Sequence, residues 1–159
     1  MVTGLFLGAG ASYELGMPLV SGLTGEFKGY YTPTHFQELV DGWRKQGGLI
    51  DPSVENTIIS LLSRSDLHYE GLLGEIETLY NGPSRTLPAQ YHYMYTKMLE
   101  TVYFILYFRH VLNEKYIETG IAPFTDLKEF AARSTPLFVF SLNHDIIFWK
   151  LFLSSAVFP

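Results

Sequence analysis

Two short apolar runs lie near opposite ends of the 159-residue chain, and each ends abruptly in a turn. Residues 2–7 run into the Gly-Ala-Gly of residues 8–10, and residues 137–142 run into the Asn-His-Asp of residues 143–145. Apolar runs of this length, bounded by turn residues, are typical of buried strands in parallel sheets. Because a helical stretch joins the two runs, they are predicted to pair in parallel, with both turns at one edge of the sheet.

Apolar residues at helical spacing mark the stretch between the two runs. Thr34 and Asp51 are the predicted caps of two helices, and Ser65 or Asp66 is predicted to start a third. Residues 19–30 give no clear prediction, because their three glycines weaken any helix.

The longest predicted helix spans about residues 88–118, with Met94 and Met98 as core residues. Its residues 103–108 are apolar all round, which is typical of a helix buried on every side. A two-stranded parallel sheet leaves open edges, so the region of Leu142, residues 152–158 and part of the helix between residues 91 and 108 are expected to be exposed. Exposed apolar surface usually ends in an interface. We therefore expect the chain to associate, as a homo-oligomer or with a partner protein. The contact would be made by this helix or by an unpaired edge strand of the sheet.

These elements predict an α/β fold with a partial Rossmann-like parallel sheet and a large helical insertion, predominantly helical by residue count. Residues 1–159 are expected to form a single domain that is incomplete at its C-terminus. Residues 1–18 and 136–159 would form a nucleotide-binding core, and residues 19–135 would form the helical insertion.

The composition excludes several classes of protein. Hydrophobic residues make up 47% of the chain and charged residues 17%, which favours a packed core over disorder. The net charge of −5, with scattered Lys and Arg, argues against a nucleic-acid surface. Without cysteine there is no disulfide, no thiolate nucleophile and no Cys-ligated zinc, and no metal is expected. Neither a signal peptide nor a membrane span is recognisable, so a cytoplasmic location away from membranes is expected.

The Gly-rich turn has the chemistry of a phosphate site. Gly8 and Gly10 let the backbone approach a pyrophosphate closely, and a helix that starts here offers free N–H groups and the positive end of its dipole. The turn is not a Walker A loop, because no Lys-Ser or Lys-Thr follows, and it lacks the third Gly of the Rossmann fingerprint. A plain strand-to-helix connection is the alternative.

Asn143 and Asp145 follow the second run, two residues apart. An Asn amide both donates and accepts hydrogen bonds, so it can hold a ribose hydroxyl or a water, and an Asp carboxylate can accept from a ligand amide. Helix capping is the alternative explanation for the same pair.

Taken together, the two segments resemble the sirtuin superfamily, and in particular the sirtuin-like domains of bacterial anti-phage defence proteins, which insert a helical block between the motifs. The first segment resembles the pattern Gly-Ala-Gly-hydrophobic-Ser followed by Gly-Ile-Pro, and its residues are Gly8, Ala9, Gly10, Ala11 and Ser12, then Gly16, Met17 and Pro18. The second, Leu142-Asn143-His144-Asp145, resembles the Asn-x-Asp motif.

The resemblance implies an NAD hydrolase with NAD as ligand or substrate. Residues 8–12, with Gly16 and Pro18, would hold the pyrophosphate and the adenosine ribose. Asn143 would be the catalytic residue that positions the nicotinamide ribose or the attacking water, and Asp145 would face the carboxamide.

Three departures from the family pattern leave alternatives open. Residues 19–21 read Leu-Val-Ser where deacylases have Asp-Phe-Arg, the four-cysteine zinc ribbon has no counterpart, and no His-Gly segment follows Asp145 to supply the general base. The other histidines are lone residues on predicted helices. A non-catalytic module that binds NAD or ADP-ribose and acts through a partner is therefore the second hypothesis, and an inactive fragment is the third.

Overall fold

In the computed structural model the described residues are 3–13, 15–83, 86–112, 126, 129–130, 133 and 137–141. They form β1 (Thr3–Leu7), α1 (Ala9–Tyr13), α2 (Val20–Tyr30), α3 (Pro33–Lys45), α4 (Pro52–Ser63), α5 (Tyr69–Asn81), α6 (Pro88–Leu112) and β2 (Leu137–Ser141). The chain consists of two compact units. The helical unit is Val20–Ile105, and the strand unit combines Met1–Leu19 with Leu106–Pro159.

Side chains fix the starts of three helices. Thr32 caps α3, Asp51 accepts from the backbone N–H of Ser53 at 2.8 Å to cap α4, and His68 caps α5 through Nδ1. The predicted Asp51 cap is confirmed. Thr34 is not a cap, because Pro33, which lacks an N–H, occupies the first turn of α3 and places the cap at Thr32.

The helical unit has a continuous apolar core. α5 packs against α2 and α4, and the predicted core residues Met94 and Met98 are fully buried. The largest fully buried side chains of this unit are Phe27, Phe36, Val40, Val54, Ile58, Leu72, Ile76, Met94 and Met98. Residues 20–30 form α2 despite their glycines because Leu23 and Phe27, one turn apart, bury large side chains.

Within the helical unit, specific contacts join the first part of α6 to residues of the preceding helices. The Tyr31 hydroxyl lies 2.7 Å from Thr101 Oγ1 and 3.1 Å from the carbonyl oxygen of Lys97. Burial raises the pKa of Tyr31 well above its ordinary value. The Trp43 and Tyr93 rings stack with centroids 4.0 Å apart.

The last turns of α6 differ from this buried part. Ile105 and Leu106 are buried, but the helix also carries large exposed apolar side chains, namely Tyr103, Phe104, Tyr107, Phe108, Val111 and Leu112. The prediction that this stretch is buried on every side is therefore wrong. Among the described helices, none combines the length and apolar content needed to cross a bilayer.

β1 and β2 pair in parallel, with Thr3 opposite Leu137 and Leu7 opposite Ser141. The Phe6 and Phe140 rings stack with centroids 4.8 Å apart, and both rings are exposed. Leu7, whose side chain points to the other face, is buried.

The predicted α/β fold with a partial Rossmann-like sheet is wrong. The chain is predominantly helical, as was also predicted, but its described strands amount to one pair of five residues each. A Rossmann-like sheet is several strands wide and covered by helices on both faces, whereas Phe6, Phe138 and Phe140 leave one face of this pair exposed. Apolar runs report where strands form, but not how many strands a sheet has or what covers it.

Candidate functional site

The candidate site lies at the carboxyl ends of β1 and β2. Since the strands are parallel and Leu7 is opposite Ser141, the chain leaves both strands at the same edge. Gly8 follows Leu7 directly at that edge. The predicted residues Asn143 and Asp145, with His144 between them, follow Ser141 in sequence and lie outside the described residues.

The turn after β1 passes directly into a short helix. The carbonyl oxygen of Gly8 accepts from the N–H of Ala11 at 2.9 Å, and α1 begins at Ala9. Gly8 and Gly10 are exposed, and Ala11 is half-buried. The predicted Gly-rich turn therefore presents its two glycines to solvent at the edge where the strands end.

Within the described residues, neither backbone conformation nor packing requires a glycine at position 8 or 10. Neither has the positive φ that favours glycine, and no described heavy atom lies within 4 Å of a Cβ built at either position. An alanine would fit both sites without strain. Open space at a glycine lets another molecule approach the backbone closely.

Gly16 and Pro18 have a structural explanation that needs no ligand. Gly16 has φ +83°, and its N–H donates to the carbonyl of Tyr13 at 2.9 Å, while the Met17 N–H donates to the carbonyl of Ser12 at 3.2 Å. This is the Schellman pattern that ends a helix at a left-handed glycine, and a proline commonly follows it. The Gly-Met-Pro segment thus terminates α1.

Ser12 lies on the inner side of α1, with 1% of its surface exposed. Its carbonyl oxygen accepts from both Leu15 and Met17. The predicted contact between Ser12 and an adenosine ribose therefore falls on a side chain that is enclosed by the protein, in contrast to the open glycines next to it.

Three of the described histidines, and one acid considered as a candidate, make structural contacts. His68 caps α5, His92 contacts the Tyr80 ring edge-on, and His35 does the same with Tyr30. Glu75 is exposed and lies 3.7 Å from Arg64, as a solvated helix face predicts. In the part of the chain that is described, no group of three His, Cys, Asp or Glu side chains is arranged to hold a metal ion.

Sequence reasoning did not single out Phe6, Phe138 and Phe140, whose rings share the exposed face of the strand pair. The available signal was their spacing, since Phe138 and Phe140 are two residues apart and side chains at i and i+2 of a strand share a face. Phe6 and Phe140 lie one residue before the ends of their strands, next to the edge at which Gly8 lies.

Comparison with known protein families, with curated proteins and with solved structures finds no match to this chain. Function is therefore inferred from the chain's own residues and their geometry.

Proposed function

We propose that this chain binds NAD at the edge where β1 and β2 end, as the nucleotide-binding part of a sirtuin-like NAD hydrolase. Two motif segments support the proposal, the Gly-rich turn of residues 8–12 and the Asn-His-Asp of residues 143–145. The parallel register brings the strands that precede them side by side. The proposal rests on these segments and not on a Rossmann-like sheet.

The observation that carries the proposal is the open space at Gly8 and Gly10. A pyrophosphate is bound by backbone N–H groups only when the backbone can be approached closely, which a side chain at these positions would prevent. Glycines that serve neither the turn conformation nor the packing fit that role.

In the proposed reaction, nicotinamide is displaced from the ribose by water. The carbon–nitrogen bond breaks through an oxocarbenium-like transition state, and nicotinamide leaves with the bonding electron pair. The water oxygen bonds to the ribose carbon, its proton passes to a base or to solvent, and ADP-ribose is formed. Asn143 would orient the water or the ribose, and Asp145 would accept from the carboxamide.

A second candidate is a module that binds NAD or ADP-ribose without turnover. Three of the described histidines, His35, His68 and His92, are committed to helix caps or ring contacts in the helical unit. None of these three is proposed as a general base for hydrolysis. In either case we propose a cytoplasmic role in anti-phage defence, as a homo-oligomer or with a partner defence protein.

Binding is tested by calorimetry with NAD and with ADP-ribose. We expect Gly10→Ala to weaken binding at least about tenfold, the equivalent of about 1.4 kcal/mol, because the added methyl group occupies the approach to the backbone. Gly25→Ala is the matched control, since Gly25 is also a helical glycine with open space and lies in α2. No binding by the folded wild-type chain at millimolar ligand, or equal binding by Gly10→Ala, would refute the proposal.

Turnover is tested by following nicotinamide release from NAD. Any hydrolysis should fall by roughly 10²–10³-fold in Asn143→Ala, because a group that acts mainly in the transition state is lost. Binding without nicotinamide release would select the second candidate.

A further inference from the structure

The last turns of α6 carry a continuous apolar surface, here named the outer face of α6. It consists of Tyr103, Phe104, Tyr107, Phe108, Val111 and Leu112, which are between 49% and 67% exposed. At 100° per residue these six positions fall within one half of the helix circumference, opposite the buried stripe that includes Met98 and Val102. None of the six is charged.

The exposed area of this face matches what a stable dimer needs. A Phe or Tyr side chain buries 150–250 Å² when fully covered, so the six side chains together offer roughly 600 Å². Two copies would bury about 1,200 Å², which is the lower end of the range for specific interfaces. The exposed rings of Phe6, Phe138 and Phe140 offer roughly half that area, too little for a stable dimer by themselves.

The chemistry of the face suits a second copy of the same chain. Two copies that each carry a net charge of −5 repel each other over most of their surfaces. The outer face of α6 is free of charge, so it can meet itself across a two-fold axis without like charges in contact. A strongly charged partner would find no complementary charges on it.

We propose that a second copy of this chain docks on the outer face of α6, forming a two-fold homodimer. The pairing specifies the surface used by the homo-oligomer of the proposed function. It does not depend on NAD, so failure of nucleotide binding leaves it standing, and a monomeric chain leaves nucleotide binding standing.

Light scattering after size-exclusion chromatography tests the pairing. The wild-type chain should have twice the 18.1 kDa mass of one copy. The double variant Tyr107→Glu, Val111→Glu should run as a monomer, with dimer dissociation at least about 100-fold more favourable, because it places carboxylates opposite each other in the interface. Both side chains are exposed in the single copy, so the variant should keep its circular dichroism spectrum.

Leu49→Glu is the matched control, because Leu49 is 81% exposed and lies outside α6. It should remain dimeric. A wild-type monomer at high concentration, a dimer that survives the double variant, or aggregates of mixed size would each overturn the proposal.

The absence of cysteine makes a second test specific. A single cysteine introduced as Tyr107→Cys should be cross-linked to its counterpart by a short bismaleimide, whereas Leu49→Cys should not. Equal cross-linking of the two variants would contradict an interface on α6.

Discussion

The helical unit and the strand unit differ in how far their own packing explains their residues. In the helical unit, Phe27 and Phe36 are fully buried, and a side chain at Gly48 would collide with the Trp43 ring. In the strand unit, Phe6 is 76% exposed, and Gly10 faces open space.

The residues of the two regions are therefore under different constraints. In the helical unit, contacts within the unit explain the buried aromatic residues and Gly48. The strand unit includes exposed aromatic side chains and glycines for which the described contacts give no such explanation. Such residues are the place to look for ligands and partners.

The largest expected effect concerns the aromatic side chains. Phe36→Ala should lower the free energy of unfolding by about 3–5 kcal/mol, because it removes a fully buried ring and leaves a cavity. Phe6→Ala should cost less than about 1 kcal/mol, since mainly its stacking on Phe140 is lost. Urea unfolding measures the free energy of unfolding of each variant. Equal decreases would contradict the difference between the two units.

The next effect concerns the glycines. Gly48→Ala should destabilise by about 1–3 kcal/mol, because the new methyl group displaces Trp43 from its stack on Tyr93. Gly10→Ala should leave stability unchanged or slightly raised, since helical alanine is favoured over glycine and the space is open. A destabilised Gly10→Ala would mean that folding does require this glycine.

A smaller effect is expected at the polar contact between Tyr31 and α6. Tyr31→Phe should cost about 1 kcal/mol, because Thr101 keeps its hydrogen bond to the carbonyl of Lys97 and no buried polar group is orphaned. A double-mutant cycle with Thr101→Val measures the coupling. Additive losses would show that the hydroxyl pair contributes nothing of its own.

The smallest effect is the pH dependence of the α4 cap. Hydrogen bonds from Ser53 lower the pKa of Asp51 below its ordinary value of 3.8. The ionised cap therefore stabilises the fold above that value, and its contribution is lost as the pH falls through the lowered pKa. Asn also caps helices but does not titrate, so thermal melts of Asp51→Asn should converge with wild type in acid. Parallel pH profiles would contradict this assignment.

Much of the helical unit could be predicted from its sequence, because local signals and burial agree there. Asp51 followed by Pro52 marks the start of α4, and Met94 and Met98 are core residues as their spacing predicts. α2 gave no clear prediction, because the burial of Phe27 outweighs three glycines only in the folded chain.

Less of the strand unit and of the candidate site could be predicted. The strand positions follow from apolar runs. The number of strands and the elements that cover each face of the sheet depend on tertiary packing, so the prediction of a Rossmann-like sheet was wrong. Gly8 and Gly10 lie at the predicted edge, while Gly16 proves to end α1. The roles of Asn143 and Asp145 stay predictions.

The pairing of β1 with β2 also has a kinetic consequence. Partners such as Thr3 and Leu137 are more than a hundred residues apart, so their pairing closes a long loop and gives this unit a high contact order. At about 5–20 residues per second, a ribosome needs roughly 7–27 seconds to supply β2 after β1 has emerged. During synthesis β1 therefore stays unpaired until β2 has been made, while the local contacts of α2–α5 can already form.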